Sequence, residues 1–215
     1  MGKKVNYNHI SLLLYLFAFT LYAEKLTRER AFFSKVVEKV VDGVSTYGVI
    51  FLSLSIMALL GEATTIGSDG IFRSSPVLFQ QVYTIHVYYQ GHSFPFAYVL
   101  MTHRNMVLYN EVLRHIKDTI VMEYPAFDLA NIKFCMSDFE PAILGAMTMA
   151  FPAATAKGCW FHYGQAIYRK ASEFGLSPSY KKKGVVYKIV KELIDLALLP
   201  AKDILEGFQV NFLRN

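Results

Sequence analysis

Apolar residues along this chain change their period several times, and each change predicts an element. Ile10 to Ala23 is an apolar run broken only by Ser11 and Thr20, behind Lys3-Lys4. It has the outline of a signal peptide, but Leu21-Tyr22-Ala23 puts a bulky residue where a cleavage site prefers small ones. It is also shorter than the ~20 residues of a membrane-spanning helix. A core helix or an eroded remnant is the favoured reading. Thr27 to Val41 fits an amphipathic helix with Phe33, Val36, Val37, Val40 and Val41 on one face. Asp42-Gly43 signals a turn, and Tyr47 to Leu60 reads as a buried strand or helix.

From Ala63 the pattern steadies. Ala63 to Phe72 is β-rich with Asp69 in its interior. Val82 to Tyr89 and Phe94 to Met101 read as strands around a Gln90-Gly91-His92 turn, so the three predict an antiparallel meander. Val107 to Met122 predicts a helix with Leu108, Val112, Leu113, Ile116 and Ile120 on one stripe. Ile132, Phe134 and Met136 alternate like a strand that breaks at Ser137-Asp138 into a helix bearing Ile143, Leu144 and Met147. A short strand near 154–158 and an apolar-faced helix from Trp160 follow. Val185 to Leu199 is a further amphipathic helix stopped by Pro200, and Ala201 begins another.

Two acids stand out against this pattern. Strand interiors are poor in Asp, and a buried acid needs a metal, a partner or a shifted pKa, which marks Asp69. Asp138 follows a strand, where α/β sheets open their crevices. The plainer alternative makes Ser137 and Glu140 a capping box and Asp138 first-turn negative charge, and from that stretch alone the cap is the favoured reading. His86, His92 and His103 have no compact metal-ligand spacing and read as surface or hydrogen-bonded side chains.

Composition narrows the class. With 53% hydrophobic and 18% charged residues the chain is not a disordered one. The net charge of +5 suits an anionic partner, though only modestly. Cys135 and Cys159 are too few for a disulfide framework and point to reduced thiols. Cys159 and His162, three apart, form a candidate structural pair at a helix start, with too few ligands for zinc within this chain. Arg169, Lys170, Lys181, Lys182 and Lys183 are candidate phosphate contacts, or equally a solvated basic face.

Three blocks, in order, resemble a known family. Asp69-Gly70-Ile71-Phe72-Arg73, with Pro76 and Leu78 to His86, is similar to the first-acid block of Mutator-like element (MULE) transposases. Ser137-Asp138-Phe139-Glu140-Pro141-Ala142 is similar to their second-acid block. Phe151-Pro152 and Lys157 to Lys170, containing Cys159-Trp160-Phe161-His162, are similar to their Cys-x-x-His block. Ile71 departs from the Thr more common there. The resemblance covers about residues 63–208.

It implies an α/β fold: an RNase H-like mixed sheet flanked by helices, with an all-helical insertion beginning at the C-terminus. The expected layout is an atypical apolar segment over 1–60, a partial catalytic core over 61–175 and the insertion from 176 to 215. It further implies DDE-type DNA cleavage and strand transfer, with Asp69 bridging two Mg²⁺ or Mn²⁺ ions and Asp138 holding one. Transposon-end and target DNA would be the partners, homo-oligomers are allowed, and the site of action would be the nucleus. The family's third acid, a Glu beyond the insertion, has no clear counterpart, since Glu173, Glu192 and Glu206 read as exposed helix charges. The expectation is therefore an incomplete, inactive catalytic domain. The alternatives are a catalytically dead DNA-binding or protein-interaction module and, if 10–23 is a true signal, a secreted or membrane-associated protein.

Overall fold

A computed structural model describes residues 33–73 and 75–213. The apolar run at 10–23 and the first part of the helix expected from Thr27 lie outside them. Contacts divide the chain into two compact units, one ending at Lys157 and the other starting at Gly158.

The first unit contains strands β1 (Phe33–Val41), β2 (Val44–Leu52), β3 (Thr65–Ile71), β4 (Gln81–Tyr89) and β5 (His92–Met101). A one-turn helix α1 (Leu54–Met57) follows β2. After β5 come α2 (Met106–Glu123), β6 (Phe134–Ser137), α3 (Pro141–Ala150) and β7 (Thr155–Gly158), whose last residue belongs to the second unit. All seven strands join one sheet in the order β1-β2-β5-β4-β3-β6-β7. β3, β4 and β5 form the expected antiparallel meander, and β6 adds to β3 in parallel. A meander whose first strand pairs in parallel with the strand after the helix is the RNase H-like arrangement, and the fold here is of that class.

Residues 33–41 are a strand where a helix was expected. The spacing of Val36, Val37, Val40 and Val41 satisfies a helical face, but β-branched side chains favour a pleated surface. Asp42 and Gly43 decide the matter. Both have positive φ, at 52° and 76°, which is the two-residue turn whose twist matches a hairpin. β1 therefore folds back along β2, pairing Val41 with Val44 and Val36 with Val49. Residues 33–52 thus extend the same sheet, and a helical turn follows them. Gln90 (φ 49°) and Gly91 (φ 77°) make the same kind of turn between β4 and β5.

The main core lies on one face of the sheet, under α2 and α3. Leu108, Tyr109, Val112, Leu113, Ile116 and Ile120 of α2 meet Ile50, Ile66, Ile85 and Val99 from the strands, with Ile143, Ala146 and Met147 from α3. Burial of each such side chain contributes on the order of 1.5–3 kcal/mol. Asn105 caps α2, its Oδ1 accepting the Leu108 N–H at 2.8 Å. A smaller cluster on the opposite face joins Tyr47, Val49, Phe51 and Leu100 to Phe79.

The second unit is helical: α4 (Trp160–Glu173), α5 (Ser177–Lys181), α6 (Val185–Asp195) and α7 (Ile204–Phe212). Ala171, Val190 and Ile194 form its small core. Among the described residues no helix is long and apolar enough to cross a membrane.

Candidate active site

β3 is held as a strand by Thr65, Ile66 and Ile71, with two glycines where neighbours come close. A Cβ on Gly67 would sit 2.7 Å from the Tyr88 ring, and one on Gly70 would sit 2.6 Å from Oε1 of Gln81. Its parallel ladder with β6 pairs Thr65 with Phe134, Ile66 with Cys135 and Gly67 with Met136. Asp69 lies two residues beyond Gly67 on β3, and Asp138 lies two residues beyond Met136, just past the end of β6. Side chains alternate with period two, so Asp69 shares the face of Gly67, opposite the main core. Asp138, past the strand, helps to raise the pKa values of the buried Tyr83 and of Glu140. The two acids thus stand at the same end of neighbouring chain segments. Both are half-buried, and so open to solvent.

The backbone around each acid is fastened separately. Asp138 Oδ1 accepts the Glu140 N–H at 3.1 Å, and the Ser137 hydroxyl donates to the Asp138 carbonyl at 2.9 Å. The expected Ser137–Glu140 capping box is not formed. α3 begins at Pro141 with Glu140 as its N-cap, and Ser137 is the buried last residue of β6. Proline at the first helical position starts the helix there, which leaves Ser137 three residues too early to cap it. On the other side, the Thr84 hydroxyl donates to the Asp69 carbonyl at 3.2 Å. His86 bonds Thr84 Oγ1 through Nε2 at 3.0 Å and Ser93 Oγ through Nδ1 at 3.1 Å. Burial lowers the His86 pKa, against an upward pull from Asp69.

A second polar group gathers around Glu140. Burial raises its pKa, Arg104 opposes that, and Asp138 adds to it. Arg104 reaches Glu140 at 3.4 Å while its guanidinium lies 4.9 Å from the Phe72 ring centroid, just beyond β3. One side chain thus touches both segments that leave the acid-bearing strands. Behind it, the Gln81 amide donates to the Tyr109 hydroxyl, and Gln81 Oε1 is buried with no hydrogen-bond partner. Burial pushes the Tyr109 phenol well up from its ordinary value.

Sequence reasoning reached the two acids but not His86 beside Asp69, nor Arg104 and Glu140. His86 was legible in principle, because it is one alternation away from Thr84 on a clear strand. His103 bonds Thr102 Oγ1 at 3.0 Å, and the His92 ring lies 6.2 Å from that of Phe94. Among the described residues no group of three or more His, Cys, Asp or Glu could hold a metal ion.

In the second unit Cys159 is the N-cap residue of α4 and His162 lies in its first turn. Arg169, Lys170, Lys181, Lys182 and Lys183 are all exposed. Lys170 pairs with Glu173 at 2.9 Å and lies 5.2 Å from the Phe174 ring centroid. Residues 158–215 carry nine Lys and Arg against five Asp and Glu, so this unit holds most of the chain's positive excess. Glu173, Glu192 and Glu206 are exposed.

Residues 65–166 match the family model described as the MULE transposase domain. This stretch is similar to a MULE transposase domain. It runs from the first residue of β3 into α4 and contains Asp69, Asp138, Cys159 and His162. Arg169, Lys170 and the Lys181–Lys183 run lie beyond the matched part of the transposase domain. No curated protein and no solved structure matches the chain.

Proposed function

We propose that this transposase domain serves DNA cleavage and strand transfer of the DDE type, with Asp69 and Asp138 as two of its metal-binding carboxylates. What supports the reading is that Asp69 lies on β3 and Asp138 directly after β6, the parallel neighbour of β3, within the stretch that matches the MULE transposase model. The donor set fits a hard cation. Both ligands are carboxylate oxygens open to solvent, and Mg²⁺ takes few protein ligands while keeping several waters. The chemistry supplied by a bound pair of such ions is activation of the attacking oxygen and stabilisation of the leaving one. Asp69 would bridge the pair and Asp138 would hold one member. The chain's own contribution is orientation: Thr84 fastens the Asp69 backbone, and the Glu140 N–H fixes one oxygen of Asp138.

The partners on this reading are transposon-end and target DNA, met in the nucleus, with the basic α4–α6 residues supplying salt-sensitive phosphate contacts. Cys159 and His162 order the start of α4. With no third ligand beside the two acids among the described residues, this chain alone is expected to show no Mg²⁺- or Mn²⁺-dependent cleavage of transposon-end DNA. Robust cleavage abolished by Asp138→Asn would overturn that expectation. The same missing ligand favours the second reading, a catalytically dead DNA-binding module. Its mark is DNA binding that weakens with salt and is unaffected by Asp69→Ala.

A further inference from the structure

The ladders on either side of β3 align what lies upstream of Asp69 on the same face. Thr65 pairs with Tyr88 on one side and with Phe134 on the other, forming one row across β4, β3 and β6. The next row is His86, Gly67 and Met136, and the row after it on β4 and β3 is Thr84 and Asp69. Two rows of two residues each put the aromatic row ~13 Å from Asp69 on one surface. Tyr88 and Phe134 are exposed, at 37% and 42%, although large aromatics on a sheet are usually covered. The Tyr88 ring occupies the space that a side chain on Gly67 would need, so it leans along the sheet toward the acid row. Lys157 stands over Phe134, its Nζ 5.7 Å from the ring centroid.

We propose that Tyr88 and Phe134 form a stacking subsite for unpaired bases of the DNA strand that passes the acids, with Lys157 facing its backbone. This rests on the DNA-cleavage reading above and adds to it the form of DNA received. Bases present a flat π-face whatever their sequence, and exposed aromatics on a sheet surface bind them by stacking while a neighbouring cation meets phosphate. Paired bases keep their faces stacked on each other, so only a locally unpaired strand can use such a row. A protein partner would also use exposed aromatics, but the face shared with Asp69 and the lysine over Phe134 favour a nucleic acid strand.

The test is fluorescence anisotropy of the full chain, in Ca²⁺, with a blunt duplex and with the same duplex carrying a single-stranded tail. The tail is expected to tighten binding by about fivefold or more. The double variant Tyr88→Ala, Phe134→Ala is expected to lose that gain while blunt-duplex affinity stays within about twofold. The pair Tyr88→Leu, Phe134→Leu keeps an apolar surface without a π-face and is expected to lose the gain as well. No tail preference in the unaltered chain, or a preference that survives both double variants, overturns the subsite and leaves the DNA-cleavage reading in place. No binding to either DNA overturns both.

Discussion

Removing one charge from the acid pair is expected to have opposite effects with and without a divalent cation. Asp69 lies on β3 and Asp138 directly after β6, its parallel neighbour. On the proposed shared-cation reading their carboxylates stand about one strand spacing, ~5 Å, apart. Two like charges at that distance repel by about 0.8 kcal/mol at the dielectric of water and about 3 kcal/mol at an effective value of 20. Both side chains are half-buried and partly screened, so a value near the lower bound, about 1 kcal/mol, applies. Asp138→Asn removes the repulsion but keeps the Oδ1 that accepts the Glu140 N–H. In EDTA the variant is therefore expected to melt ~2–4 °C above the unaltered chain. Added Mn²⁺ reverses the order. At a hundred times its dissociation constant, a cation bound only by the folded chain stabilises it by ~2.7 kcal/mol, and the variant should lose most of that gain. Thermal melts followed by circular dichroism, with EDTA and across a Mn²⁺ titration, measure both effects. Equal melting in EDTA together with equal Mn²⁺ shifts would show that the two carboxylates do not converge, and the metal reading would go with them.

Two further outcomes test the fold around the site. Glu111 is held well below its ordinary value, at about 2, first by its bond with Arg114 and then by Lys39. A lowered folded-state pKa gives stability that is present above the unfolded value near 4.5 and is lost as pH falls toward 2. Glu111→Gln should flatten the fall in denaturation midpoint across that window and leave the pH dependence above it unchanged. Gly43 sits at φ 76° with nothing near an added Cβ, so Gly43→Val tests backbone strain alone. A cost of roughly 1–2 kcal/mol in urea unfolding is expected, and no cost would contradict the hairpin that joins β1 to the sheet.

The meander, the long helix α2 and the helices after β7 were legible because their apolar periods are unambiguous over long windows. The three motif blocks carried the family resemblance, and with it the expectation that Asp69 and Asp138 act together. β1 was not legible, because valines at 36, 37, 40 and 41 satisfy a helical stripe and a strand about equally well. The turn that decides between them is visible as Asp42-Gly43, but its geometry has consequences only once β2 is there to receive β1. The Ser137 cap failed for a similar reason, since the helix start is set by Pro141.

The sequence by itself determined which segments between Ala63 and Met136 are strands, that two aspartates lie at or just after two of them, and which family the central stretch resembles. These are local properties of period and residue type. Only the tertiary structure decided the register of β3 against β6. That register is a relation between segments almost seventy residues apart, and a slip of one residue would send Phe134 and Met136 to the opposite face. The neighbours it brings together, His86 beside Asp69, Arg104 between Phe72 and Glu140, and Tyr88 in line with Phe134, come from strands and loops that have no common pattern along the chain. Their meeting follows from the order in which seven strands pair, which no single segment encodes.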